Sequence, residues 1–172
     1  QPSKVLHIIA RMNVGGPAWQ VSVLMRGLEG GYFENLLVVG AVGSDEADFL
    51  ELRDPGLPVR RISGLGKSLR PFNDLRAFSS ICRVMRQYRP DIVHTHTAKA
   101  GFLGRVAAVV CRIPLRVHTY HGHVLQGYFK PPVLRLVVIA ERLLAAVSTA
   151  LVAVGERVRD DLLDAGIGCP DQ

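Results

Sequence analysis

The sequence predicts a doubly wound α/β domain built on a mainly parallel sheet, and two observations carry that expectation. Short β-type runs alternate with helical runs along the whole chain. Several of those runs, such as Val5-Leu6-His7-Ile8-Ile9, Leu36–Val39 and Leu151–Val154, are almost continuously apolar, as strands covered on both faces are. At 172 residues the chain fits one domain, 1–172, and 48% hydrophobic residues supply its core.

The elements follow in order. Val5–Ile9 is a first strand, and Gly15-Gly16-Pro17 breaks the chain before a helix over Ala18–Leu28. Trp19, Val23, Leu24 and Leu28 supply that helix with an apolar stripe. Leu36–Val39 is a second strand, Asp45 caps a short helix ending at Leu52, and Val59–Ile62 is a third strand after the Pro55-Gly56-Leu57-Pro58 turn. A longer helix starts at Asn73 and stops before Pro90, with Leu75, Phe78, Ile81, Cys82 and Met85 at helical spacing. Asp91–His96 is a fourth strand, Ala98–Cys111 a helix, and Leu115–Tyr120 a fifth strand. Pro131-Pro132 opens a long helix to Val147. Leu151–Val154 is a sixth strand, and a helix over Glu156–Ala165 stops at Gly166.

Composition narrows the function classes. The formal charge of +6 favours phosphates, other anionic ligands or an acidic membrane surface, with a merely solvated basic face as the competing reading. Nucleic acid is not expected, because no stretch interleaves basic and aromatic residues as a stacking groove does. Cys82, Cys111 and Cys169 form no paired motif and read as reduced thiols, Cys82 and Cys111 as small fillers within helices. The opening residues Gln1-Pro2-Ser3-Lys4 lead straight into an apolar strand, so a secretory leader is not expected. The most apolar stretch, Val133–Val154, carries Arg135, Glu141 and Arg142, too many charges for a membrane span. A soluble, cytoplasmic protein is expected.

Ligands of open α/β sheets bind beyond the carboxyl ends of the strands, which selects the segments after Ile9, His96 and Tyr120. After the first strand, Asn13-Val14-Gly15-Gly16-Pro17 brings backbone and a helix N-terminus together where a phosphate is well received; a plain tight turn is the competing reading. Neither the glycine pattern of dinucleotide enzymes nor a P-loop is present.

Five of the six histidines fall in His94-Thr95-His96 and His118-Thr119-Tyr120-His121-Gly122-His123. Strand geometry puts His94 and His96 on one face and Thr95 on the other. A zinc hydrolase would add carboxylate ligands or a H-E-x-x-H helix, and neither accompanies these strands, so no metal is assigned. His94 and His118 read as buried rings satisfied by backbone hydrogen bonds. His121, at a carboxyl edge beside glycine, is placed to hydrogen-bond a ligand hydroxyl, and Lys99, with Arg105 or Lys130, to meet phosphate.

Taken together, Val14-Gly15-Gly16, Pro90–Gly101, Arg116–His123 and Leu151–Glu156 resemble the N-terminal domain of glycosyltransferase family 4. The resemblance implies one Rossmann-like half of a two-domain GT-B enzyme: a retaining glycosyltransferase that moves a sugar from a nucleotide-sugar, UDP- or GDP-linked, to a glycan, lipid-linked or small-molecule acceptor. It implies no resident cofactor and no catalytic metal. Residue by residue, it matches Gly15 and Gly16 to the donor diphosphate loop and His121 to the reaction centre. Asn13, His96, Lys99 and His123 fall on the acceptor side. The family's frequent acid after Gly-Gly-x is missing, since Pro17 is followed by Ala18. The nucleotide-sugar domain is absent from this chain, so the chain alone is expected to be inactive. A nucleotide-sugar epimerase domain and a non-catalytic subunit of a split transferase are the alternatives. Peripheral contact with the inner face of the membrane is compatible with the apolar helix from Pro132, for which core packing is the favoured explanation.

Overall fold

The computed structural model describes residues 2–66, 70–122 and 131–172. His123 and Lys130 lie outside the described residues. The elements alternate as expected: β1 (Ser3–Ile9), α1 (Gly16–Gly27), β2 (Phe33–Val39), α2 (Phe49–Arg53), β3 (Val59–Arg61), α3 (Pro71–Tyr88), β4 (Ile92–His96), α4 (Ala98–Val110), β5 (Leu115–Tyr120), α5 (Pro131–Ala146), β6 (Ala150–Ala153) and α6 (Glu156–Asp164). The six strands form one sheet in the order β3-β2-β1-β4-β5-β6, and every neighbouring pair is parallel. The order reverses between β1 and β4, which is where a doubly wound sheet opens a crevice at its carboxyl edge.

Each face of the sheet has its own core. On the first face, Ile9, Leu37 and Val39 meet Ala18, Val21 and Met25 of α1 and Phe49 and Leu50 of α2. On the second, Leu6, Ile8, Val38 and Val93 meet Ala77, Ile81, Val84 and Met85 of α3 and Ala100, Ala107 and Ala108 of α4. Tyr120 continues this layer toward Ala145 of α5 and Val158 and Leu162 of α6. Helix ends follow local chemistry. Proline opens α1 and α3 within the first turn, α3 ends on Arg89 in the left-handed region before Pro90, and Gly166 takes φ +68 beyond α6.

Several sequence expectations are corrected. The buried face of α1 is Ala18, Val21, Ser22 and Met25, whereas Trp19 and Val23 are exposed. The short second helix is capped by Asp48, whose carboxylate accepts from the Leu50 amide at 2.9 Å, and not by Asp45. Leu75 of α3 points to solvent. Core packing explains only one side of α5: Glu141, Leu144 and Ala145 are buried, while Val133, Leu136, Ile139 and Leu143 are exposed. Among the described residues no helix is long and apolar enough to cross a membrane.

Candidate functional site

The crevice at the reversal point is a groove of about 880 Å³ whose two ends differ in chemistry. Its polar end is built from the loop after β1 (Arg11, Asn13, Gly15) and the β4–α4 junction (Thr97, Ala98, Lys99). Its apolar end is formed by Phe102 and Leu103 of α4 and Val133, Leu136 and Val137 of α5. The N-termini of α1 and α4 both belong to the polar end, and neither is capped by a side chain. Each leaves backbone N–H groups and about half a positive charge for an anion.

Nothing inside the fold requires glycine at the α1 N-terminus. Gly15 is extended, with φ 170. A Cβ on it would meet nothing closer than the Asn13 carbonyl oxygen at 3.8 Å, and one on Gly16 would have nothing within 4 Å. The bare backbone leaves room outside the fold for a ligand to come close. Asn13 lines the groove and bridges to Asp48. The Lys99 ammonium forms an ion pair with Asp74 and donates to the Gly64 carbonyl oxygen at 3.1 Å. It is therefore held in place along the groove wall.

Thr97, between β4 and α4, has φ 65 and ψ 157, a conformation essentially reserved for glycine. Its buried hydroxyl has no hydrogen-bond partner among the described residues. A β-branched residue held there marks strain at the groove.

Beside the groove the histidines form a continuous cluster. His94 and His96 share a face, with ring centroids 4.2 Å apart. His7 of β1 joins them, 5.5 Å and 5.9 Å from the two rings. His121, just past β5, is half-buried, and its Nε2 lies 3.1 Å from His96 Nδ1. Burial pushes the pKa of His121 down; it pushes His7 down to about 4 and His94 to about 3, the latter helped by the neighbouring rings. All are neutral at physiological pH, able to give or take a hydrogen bond. His96 is fully buried, so it reaches the rim through His121.

The other face of the same strands holds different chemistry. There His118 Nδ1 lies 2.8 Å from the Thr95 hydroxyl, whereas on the face of the histidine cluster His94 Nε2 lies 2.8 Å from that of Thr119. Side-chain hydroxyls partner both rings: Thr95 stands opposite His118 in the β4–β5 register, and Thr119 lies two residues beyond Val117, the residue opposite His94. The structure excludes a rim role for Arg105. It is fully buried, donating to the Gly101 carbonyl oxygen at 2.9 Å and to Glu141 at 2.7 Å.

Sequence reasoning missed His7 and Glu141. For His7 the available signal was a lone polar residue inside the apolar run Val5–Ile9; Glu141, beside Arg142, stood out only as a charge within an apolar helix.

Against known proteins, the glycosyl transferase 4-like domain family matches the chain over residues 15–171. The chain belongs to that family. This glycosyl transferase 4-like domain is 35% identical over 63 residues to a UDP-Gal:alpha-D-GlcNAc-diphosphoundecaprenol alpha-1,3-galactosyltransferase of Escherichia coli, covering 37% of this chain and 16% of that protein. It is 30% identical over 125 residues to a UDP-N-acetylglucosamine–N-acetylmuramyl-(pentapeptide) pyrophosphoryl-undecaprenol N-acetylglucosamine transferase of Shewanella amazonensis, covering 70% of the chain and 32% of the relative. Among solved structures, a putative UDP-N-acetylglucosamine 2-epimerase from Listeria monocytogenes superposes with TM-score 0.69 at 16% identity, covering 96% of this chain and 43% of that one. MurG of Acinetobacter baumannii gives TM-score 0.63 at 17% identity, covering 91% and 42%. These likenesses establish the Rossmann-like half of a GT-B fold. The glycosyl transferase 4-like domain spans a third or less of these curated relatives and under half of the solved chains.

Proposed function

We propose that this domain is the acceptor-side half of a retaining glycosyltransferase whose acceptor is a sugar carried on a polyprenyl diphosphate. One observation carries the reading: the groove joins an anion-receiving end, with two uncapped helix N-termini, to an apolar end on α4 and α5. An amphiphile with a diphosphate between sugar and hydrocarbon matches both ends. The two relatives named above, both called after undecaprenol-linked acceptors, support the same class. The exposed Leu136 and Leu143 of α5, flanked by the exposed Arg135 and Arg142, suit a peripheral seat on the anionic inner face of a membrane.

In this reading a second domain binds the UDP- or GDP-sugar, and the donor diphosphate approaches Gly15 and Gly16. His121, neutral and steadied by His96, hydrogen-bonds the reacting sugar, while Asn13 and Lys99 hold the acceptor. The domain's contribution to rate is positioning and charge stabilisation.

The test is transfer by the full-length protein from labelled UDP- and GDP-sugars to a prenyl-diphosphate sugar and to the same sugar free in water. Transfer should need the lipid diphosphate, and Leu136→Asp, at a surface position, should raise KM for it at least about tenfold, the order of one lost apolar anchor. Equal use of the free sugar would refute the acceptor assignment. Conversion of the nucleotide-sugar to its epimer without transfer would establish the epimerase alternative instead.

A further inference from the structure

We propose that His7, His94 and His96 form a site for one borderline divalent transition-metal ion such as Zn²⁺, set under the carboxyl edge of β1 and β4. One ring nitrogen from each of the three lies within 4.8 Å of the other two. His7 stands opposite His94 in the β1–β4 register, and His96 is two residues further along β4 on the same face. The strands that build the crevice thus bring the three imidazoles together.

The hydrogen bonding separates the outer nitrogens from the inner ones. His7 Nε2 lies 3.2 Å from Asn35 Oδ1, His94 Nε2 lies 2.8 Å from the Thr119 hydroxyl, and His96 Nδ1 lies 3.1 Å from His121 Nε2. Each outer nitrogen thus has the kind of partner that orients a metal-binding imidazole. The inner nitrogens of His7 and His96, Nδ1 and Nε2, are buried and have no partner among the described residues. Both residues are fully enclosed by the protein. Buried ring nitrogens are normally satisfied, and here two rings of one three-histidine cluster each keep one without a partner among the described residues.

The neutral state of all three rings is the ligating one. Two Zn–N bonds of about 2.1 Å at a tetrahedral angle place their nitrogens about 3.4 Å apart. Closing from 4.8 Å asks each ring to move by under about 1 Å. Three imidazoles without a carboxylate favour Zn²⁺, Co²⁺ or Ni²⁺ over Mg²⁺ or Ca²⁺, with water in the remaining position.

The site also reaches His121. A metal on His96 Nε2 fixes the proton on His96 Nδ1, which must then donate to His121 Nε2. His121 is left with its Nδ1–H as the donor facing outward. The ion is therefore a positioning element for that ring. This link rests on the transferase reading of His121; metal binding itself does not.

The test titrates the chelator-stripped chain with Zn²⁺ and Co²⁺. One equivalent should bind, with the visible absorption of a low-symmetry Co²⁺–imidazole centre. His7→Ala and His94→Ala should abolish it, Asn35→Ala should weaken it about 10- to 100-fold, and His121→Ala should keep it. Imidazole nitrogen NMR should show His121 moving to the Nδ1–H form as Zn²⁺ is added. Absence of stoichiometric uptake, as expected if only a water or a proton sits between the rings, would overturn the proposal. So would uptake surviving in a folded His7→Ala/His94→Ala double variant. Transfer activity is not the readout, so either result leaves the acceptor assignment to be judged on its own assay.

Discussion

Glu141→Ala removes a carboxylate shared by three elements. Glu141 Oε2 of α5 accepts from Arg105 Nη2 of α4 at 2.7 Å and from the Tyr120 hydroxyl of β5 at 2.8 Å. Arg105 has no exposure, and Tyr120 has 1%. Burial, with the adjoining carboxylate, pushes the Tyr120 pKa up, so its hydroxyl stays protonated and donating. The truncation leaves a guanidinium in the core with the Gly101 carbonyl oxygen and the Tyr120 hydroxyl as its remaining hydrogen-bond partners among the described residues. Removing one member of a buried pair costs about 3–5 kcal/mol. For a chain of this size each kcal/mol moves the melting temperature by about 2–4 °C, so a fall of about 10 °C is expected. The assay is urea and thermal unfolding followed by circular dichroism. Arg105→Met/Glu141→Leu separates charge from packing: it should recover most of the loss, because no buried charge remains. A loss under about 1 kcal/mol for Glu141→Ala, or a double variant no better than the single, would refute the reasoning.

Acid should destabilise the metal-free domain earlier than a typical carboxylate-controlled protein. The pKa of His7 is lowered to about 4, and those of His94, His96, His118 and His121 are lowered as well. Each folded-state pKa lies below the unfolded value, so the unfolded chain binds more protons in between. The stabilisation is complete above about pH 6.5 and falls as pH drops toward 4, by about 3 kcal/mol for His7 alone; a urea midpoint that stays flat from pH 7.5 to 5 would contradict this. Gly101→Ala should be poorly tolerated, since its Cβ would lie 2.4 Å from His118 Cε1; overpacking of about 1–3 kcal/mol should appear as a lower melting temperature. Gly16→Ala, with nothing within 4 Å of the new Cβ, should leave that temperature within about 2 °C while weakening nucleotide-sugar binding by the full-length protein. Unchanged binding would remove the steric argument for that glycine.

The layers of the fold were legible because buried parallel strands announce themselves as apolar runs bounded by turns. All six strands appear in the expected places, with ends moved by a residue or a few. The buried face of α1 was not legible. Trp19 is its largest apolar side chain, yet it packs edge-on against Phe49 of α2, centroids 5.9 Å apart, while Ser22 goes inward. Tertiary contact decides such cases, and periodicity alone does not carry it. His94, His96 and His121 stood out at a strand's carboxyl end, but the part played by His7 depends on β1 lying beside β4, which strand order alone reveals. Arg105 shows the same limit: a basic residue near a phosphate-type rim and one neutralised in the core look alike until Glu141 is brought beside it.

Thr97 limits how far this domain can be hardened. Holding a β-branched residue in glycine's territory costs about 1–3 kcal/mol, and the peptide geometry at φ 65 and ψ 157 is what aims the first turn of α4 at the groove. Glycine at this position would relax the backbone and also delete the buried Thr97 hydroxyl. Laboratory selection for heat resistance alone would therefore be drawn to this residue early. The survivors would be sturdier proteins with a quieter groove, so a screen for robust variants has to score ligand capture alongside melting.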